Sequence, residues 1–179
     1  MDGMETDIFA ATGLDVGDSA LLDTSAIIAY IEGSPGAKAA MDAIVDAGGS
    51  GMIKLRASAL VWTEALRSQQ SAEMALAYRR FLADSTRIVI VPVDVAIAYA
   101  AAGMLAALDR RSGSEKAGIR PEYGRADDNA PFFADAIHLA TAVVGRCKAV
   151  ITNDEAWKKA APSNLRVIIL DELAASYSL

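Results

Sequence analysis

Four acidic side chains stand inside apolar segments of this chain. Asp23 lies between Ala20-Leu21-Leu22 and Ala26-Ile27-Ile28, Glu64 within Leu60–Leu66, Asp135 within Phe132–Ile137, and Asp154 just behind Ala149-Val150-Ile151-Thr152-Asn153. An ionised carboxylate in such a setting is costly unless something positive compensates it. Within three residues of any of the four, Arg67 is the sole Lys or Arg. A hard divalent cation such as Mg²⁺ or Mn²⁺, which prefers oxygen ligands, is the economical common solution. Bound there, it would acidify a water molecule and offset negative charge building on a phosphate. One cysteine, Cys147, and one histidine, His138, cannot supply the thiolate and imidazole set of a structural zinc. Clustered, partly desolvated carboxylates should also include at least one that titrates above its ordinary value.

Each acid has a plainer alternative. Asp23 can cap the helix that follows it, and Asp154 can cap a helix over Glu155–Ala160. Glu64 can pair with Arg67 at i, i+3. Asp135, placed mid-helix beside Phe132, Phe133 and Ile137, has no such role. His138, one helical turn from Asp135, reads first as a hydrogen-bonded structural histidine and second as a substrate-positioning group. Trp62 and Trp157 read as core or interface filler before base-stacking platforms. Arg67, Arg79, Arg80, Arg110, Arg111, Arg120 and Arg125 read as solvated charges before phosphate contacts.

The elements that must carry these groups follow from pattern. Ser19–Asp23 is a buried strand, followed by a helix over Ser25–Glu32 and, after a Gly33–Gly36 turn, a second helix over Ala37–Ala47. Gly48-Gly49-Ser50-Gly51 breaks it before a strand at Met52–Arg56. Ser58 caps a helix running to Arg67, and another helix covers Ala72–Asp84. A β-branched strand at Arg87–Val91 stops at Pro92, and Asp94 caps a long alanine-rich helix to Asp109. Arg110–Ala130 is a surface loop, Pro131–Arg146 a helix, Ala149–Thr152 a strand, Glu155–Ala160 a short helix and Arg166–Leu170 the last strand. Short apolar strands alternating with helices indicate an α/β layer fold with a largely parallel sheet. Asp23 and Asp154 then fall at strand carboxyl ends, where ligand crevices of such sheets lie.

The 179 residues suit one domain, residues 19–179, preceded by an acidic arm, residues 1–18, that lacks periodicity and reads as mobile or loosely docked. The net charge of −6 argues at first against nucleic acid. Its distribution weakens that objection: Asp2, Glu5, Asp7, Asp15 and Asp18 sit in the arm without any Lys or Arg, so the remaining chain carries only −1. Without the four embedded acids it would carry +3, and a mildly basic body around an acidic focus can hold a phosphate backbone once metal neutralises that focus. No apolar stretch reaches the ~20 residues of a membrane span. The lone cysteine fits a reducing cytoplasm, and the acidic start has no basic region of the signal-peptide kind.

Four segments in order resemble the PIN-domain ribonucleases, and more narrowly the VapC-type toxins of toxin–antitoxin pairs. They are Leu21-Leu22-Asp23-Thr24-Ser25-Ala26-Ile27-Ile28-Ala29, Ser58–Glu64, Asp135-Ala136-Ile137-His138-Leu139-Ala140-Thr141-Ala142 and Ile151-Thr152-Asn153-Asp154. The resemblance spans about Ala20 to Leu170. It implies a three-layer α/β/α sandwich, Mg²⁺- or Mn²⁺-dependent endonucleolytic cleavage of RNA, and Asp23, Glu64, Asp135 and Asp154 as catalytic, metal-holding acids. Thr24, Ser25, Thr152 and Asn153 would support them as hydroxyl and amide groups orienting carboxylates or metal waters. It further implies a homodimer and a small cognate antitoxin. The rival readings are a non-catalytic binding protein that keeps the fold and an aspartyl-phosphate phosphohydrolase. The second is disfavoured because Asp23 is followed by Thr24 and Ser25 rather than by an Asp-x-Asp pattern.

Overall fold

A computed structural model describes residues 3–33, 35–68, 71–84, 86–112 and 133–177. Five strands form one parallel sheet: β1 (Ser19–Leu22), β2 (Lys54–Ser58), β3 (Ile88–Val91), β4 (Ala149–Thr152) and β5 (Arg166–Ile169), in the order β3-β2-β1-β4-β5. Around it lie α1 (Gly3–Thr12), α2 (Thr24–Glu32), α3 (Pro35–Gly49), α4 (Val61–Ser68), α5 (Ala72–Ala83), α6 (Val95–Ser112), α7 (Phe133–Val144), α8 (Trp157–Ala160) and α9 (Leu170–Tyr177).

The two-residue period of a strand sorts the core into layers. Ala20 and Leu22 of β1, with Ala149 and Ile151 of β4, face a cluster built with Ile8, Ile27, Met41, Ile44, Tyr78 and Leu173. Leu21 and Val150 point the other way, onto Leu139, Ala142 and Trp157. Beyond them α7 packs on α6 through Ala136, Ile137 and Ala140 against Ile97 and Ala101. The expected three-layer α/β/α sandwich with a parallel sheet is the architecture observed. The central strands read as continuous apolar runs because helices cover both faces.

Several local expectations are corrected. The acidic start is no irregular arm among its described residues. It forms α1, with Ile8 and Leu14 buried in the main cluster. Gly13, at φ +60°, ends that helix in the left-handed conformation, and the Arg166 guanidinium donates to Thr12 O at 2.6 Å over it. A Cβ on Gly13 would stand 1.6 Å from Arg166 Nη1, so a side chain there would displace the guanidinium from Thr12 as well as strain the positive φ. The helix α3 runs on through Gly48 and Gly49. A Cβ on Gly48 would stand 2.7 Å from Leu55 Cδ1 and 3.2 Å from Arg87 O, so this glycine allows close packing on the sheet. Because Met52 and Ile53 bond back to Ala47 O, β2 starts two residues later than expected and absorbs Ser58. Ser58 Oγ still accepts from Leu60 N at 3.3 Å, just ahead of α4.

Asp94 does cap α6, accepting from Ile97 N at 2.9 Å, and α6 extends to Ser112. The rest of the Arg110–Ala130 loop, with Arg120 and Arg125, lies outside the described residues. The C-terminal α9 adds to the expected elements; Leu170, Leu173 and Ala174 make a short buried stripe of helical spacing there. Among the described residues, no helix is long and apolar enough to cross a membrane.

Candidate active site

From β1 the chain builds β2 and β3 on one side of the sheet, then returns to place β4 on the other side of β1. The order reverses between β1 and β4, which is where open α/β sheets form a crevice beyond their strand ends. Asp23 stands at that point, its backbone N–H donating to Ile151 O of β4 at 2.9 Å. Its side chain is buried. Asp23 Oδ2 accepts from Thr152 Oγ1 at 2.8 Å and Ser25 Oγ at 2.7 Å, with a longer 3.4 Å contact to Ser25 N at the start of α2. The capping role and the embedded carboxylate thus coexist in one residue.

Glu64 reaches the same crevice from α4. Its Oε2 accepts from Thr24 Oγ1 at 2.6 Å and lies 2.7 Å from His138 Nε2. The imidazole is 1% exposed and its Nε2 is 4.0 Å from Asp23 Oδ1 and 3.4 Å from Thr24 Oγ1. Surface pairing with Arg67 is therefore not what holds Glu64, and Arg67 is the weakest contributor to its electrostatics. Burial pushes the Glu64 carboxyl up. The hydrogen bond and charge of His138, then the Thr24 hydroxyl and Arg67, outweigh burial and hold the carboxyl below its ordinary value. At Glu64, then, the direction is opposite to the rise anticipated for a crowded carboxylate. Burial pushes the His138 imidazole down, but the Glu64 hydrogen bond and the charges of Asp23, Glu64 and Asp135 raise it overall. The partner that local sequence lacks is a histidine distant in sequence.

Asp135 lies in the first turn of α7, half-buried, rather than mid-helix. A carboxylate near a helix N-terminus is favourable by itself, which removes the argument that only a site could explain it. Its charge nevertheless acts on His138. Asp154 connects to the network through its backbone N–H, which donates to Thr152 Oγ1 at 3.1 Å. Its Oδ1 accepts from Ala156 N at 2.8 Å, opening the turn before α8, which starts at Trp157. Of the four helpers, Thr24 orients Glu64, while Ser25 and Thr152 orient Asp23. Asn153 departs from that expectation: its N–H donates to Ser25 Oγ at 2.8 Å, but its side-chain Oδ1 accepts from Asp171 N at 3.0 Å and anchors α9.

Among the described residues no three His, Cys, Asp or Glu groups form a ready-made metal cage. The donor chemistry still fits a hard cation. Oδ2 of Asp23 and Oε2 of Glu64 are taken by hydroxyl and imidazole donors, while Asp23 Oδ1 and Glu64 Oε1 make no hydrogen bond among the described residues. Two hard oxygens of this kind, completed by water, are an ordinary Mg²⁺ or Mn²⁺ environment. Cys147 takes no part, its thiol pushed up to about 11 by burial.

The family model for the PIN domain matches residues 20–162. The chain belongs to the PIN domain family. PIN domains are nucleases, which places the chain among hydrolases acting on nucleic acid. No curated protein sequence matches it. Its fold is similar to a VapBC2 structure from Rickettsia felis bound to a promoter DNA fragment, at 12% identity and TM-score 0.57, covering 83% of this chain and 96% of that one. It is also similar to a toxin–antitoxin complex from Klebsiella pneumoniae, at 20% identity and TM-score 0.54, covering 82% and 94%. A third likeness is to DNA-bound VapBC from Salmonella typhimurium, at 15% identity and TM-score 0.57, covering 85% and 98%. At these identities the likeness is one of fold.

The Glu64–His138 pair sets a pH window for the metal-free PIN domain. Glu64 is lowered from 4.5, so its contribution is complete above that value and is lost as pH falls through the lower folded value. His138 is raised from 6.5, so its contribution is complete below 6.5 and is lost as pH rises through the higher folded value. Thermal melts in EDTA should therefore show the pair's stabilisation intact between 4.5 and 6.5 and shrinking on the alkaline side. His138→Gln should abolish that alkaline decline. A wild-type profile that stays flat above neutrality contradicts the pairing.

Proposed function

We propose that this PIN domain is a metal-dependent endoribonuclease acting as the toxin of a toxin–antitoxin pair. The observation that carries the reading is the convergence of Asp23 and Glu64 on His138 at the switch-point crevice, with Nε2 4.0 Å from Asp23 Oδ1 and 2.7 Å from Glu64 Oε2, and each acid with one oxygen fixed by protein donors. Mg²⁺ or Mn²⁺, when bound, supplies positive charge against the scissile phosphate and acidifies a water molecule. Asp23 and Glu64 are the residues that would hold it, with Asp135 and Asp154 adding negative charge at the rim. Thr152 and Ser25 keep Asp23 in one rotamer, and Thr24 does the same for Glu64, so the acids need little reorganisation when the substrate arrives. The Glu64 side chain is 31% exposed, which leaves the crevice open to a phosphodiester from solvent. Exposed Arg67, on the same helix as Glu64, would meet the RNA backbone.

The toxin role rests on the VapBC and toxin–antitoxin complexes whose fold this chain shares, and it brings a small cognate antitoxin and a cytoplasmic location with it. Val95 and Tyr99, 86% and 83% exposed and one turn apart on α6, support a homodimer face. Purified protein incubated with a panel of structured and single-stranded RNAs should cleave at least one with Mg²⁺ or Mn²⁺ and none with EDTA. Absence of cleavage under every metal condition would overturn the nuclease reading. A strict monomer by light scattering would remove the dimer.

A further inference from the structure

We infer that His138 is a positioning residue that fixes Glu64 in its metal-holding orientation, an inference that rests on the metal-dependent reading of the site. Glu64 carries a long side chain on α4, and two donors converge on its Oε2: the Thr24 hydroxyl at 2.6 Å and His138 Nε2 at 2.7 Å. That convergence turns Oε1 away from both. His138 is suited to be the rigid member of the pair. Its ring is 1% exposed, sits on the buried face of α7 between Ile137 and Leu139, and lies 6.4 Å from the fully buried Trp157 ring. Thr24, by contrast, is the first residue of α2, directly bonded to Asp23. The imidazole therefore ties three elements together: α7 holds the ring, α4 offers the carboxylate, and the β1–α2 junction supplies Asp23 at 4.0 Å and Thr24 at 3.4 Å. His138 commits its Nε2 to a candidate ligand, while its Nδ1 has no hydrogen-bond partner among the described residues.

The test is Mn²⁺ binding, followed by electron paramagnetic resonance, on full-length wild type, His138→Ala, His138→Gln, Glu64→Gln and the His138→Ala/Glu64→Gln double variant. Glutamine places an amide N–H the same number of bonds from the backbone as His138 Nε2. The expected result is that His138→Ala weakens Mn²⁺ about 10–100-fold, the scale of losing a group that orients a ligand. His138→Gln should restore most of that affinity, and His138→Ala should have no further effect once Glu64 is Gln. Thr24→Val, which removes the other donor, gives a second measure should His138→Ala fold poorly, with weakening again confined to the Glu64 background. Wild-type affinity in His138→Ala, equal weakening in both backgrounds, or failure of wild type to bind Mn²⁺ would overturn the inference. Intact, His138-dependent Mn²⁺ binding without RNA cleavage would instead sink the ribonuclease reading and leave the positioning role standing.

Discussion

Replacing Asp23 by Asn should lower the RNA-cleavage rate by about 10²–10³-fold, the scale on which one preorganised electrostatic group acts. The fold should survive. Asparagine keeps a carbonyl oxygen that Thr152 Oγ1, at 2.8 Å, and Ser25 Oγ, at 2.7 Å, can still donate to. The capping geometry at the start of α2 is retained too, so what disappears is the charge. Asp23→Ala is the contrasting variant. It removes the acceptor as well, leaves the buried Thr152 hydroxyl and the half-buried Ser25 hydroxyl with each other, at 3.0 Å, in its place, and should cost about 0.5–2 kcal/mol as a lost cap. Single-turnover cleavage and thermal melts on the two variants separate the roles. An Asp23→Asn protein that cleaves RNA at the wild-type rate would reduce Asp23 to a helix cap, and the proposed activity would lose its central residue.

Trp157→Ala should cost about 3–5 kcal/mol, the usual range for emptying a buried aromatic site. That is a large share of the ~5–15 kcal/mol that holds a typical domain together. Trp157 is among the largest fully buried side chains and packs with Leu21, Leu139, Ala142 and Val150 on one face of the sheet. Trp157→Phe should be much milder. It leaves some unfilled volume but also removes an indole N–H that is buried without a partner among the described residues, and such a group costs free energy where it stands. Urea unfolding of the three proteins measures both differences. An alanine variant within about 1 kcal/mol of wild type would show that this layer is not close-packed as described.

Much of the fold is legible in the sequence because its signals are local. Apolar runs such as Ala149–Thr152 mark strands covered on both faces, Asp94 marks the start of α6, and the acids at strand ends follow from the strands themselves. The departures share a cause. Gly48 and Gly49 carry low helix propensity, yet α3 continues through them, and at Gly48 close contact with Leu55 and the Arg87 carbonyl favours the absence of a side chain. The start of the chain lacks a clear period, yet α1 docks through Ile8 and Phe9, with Leu14 buried just beyond it and Arg166 closing its end.

By itself the sequence determined which residue types stand in apolar settings, the alternation of strands and helices, and the family motifs around Asp23, Glu64, Asp135 and Asp154. Tertiary structure decided which groups touch. Thr24 meets Glu64 across 40 residues, His138 meets Glu64 across 74, and Thr152 meets Asp23 across 129. It also turned the Asn153 side chain toward α9 and gave His138 to Glu64 as its counter-group. Periodicity and caps arise from interactions within a few residues, so they are written in local order. Hydrogen bonds across the crevice depend on the parallel pairing of β1 with both β2 and β4, which brings distant helix ends to one rim and leaves no trace in the spacing of the residues involved.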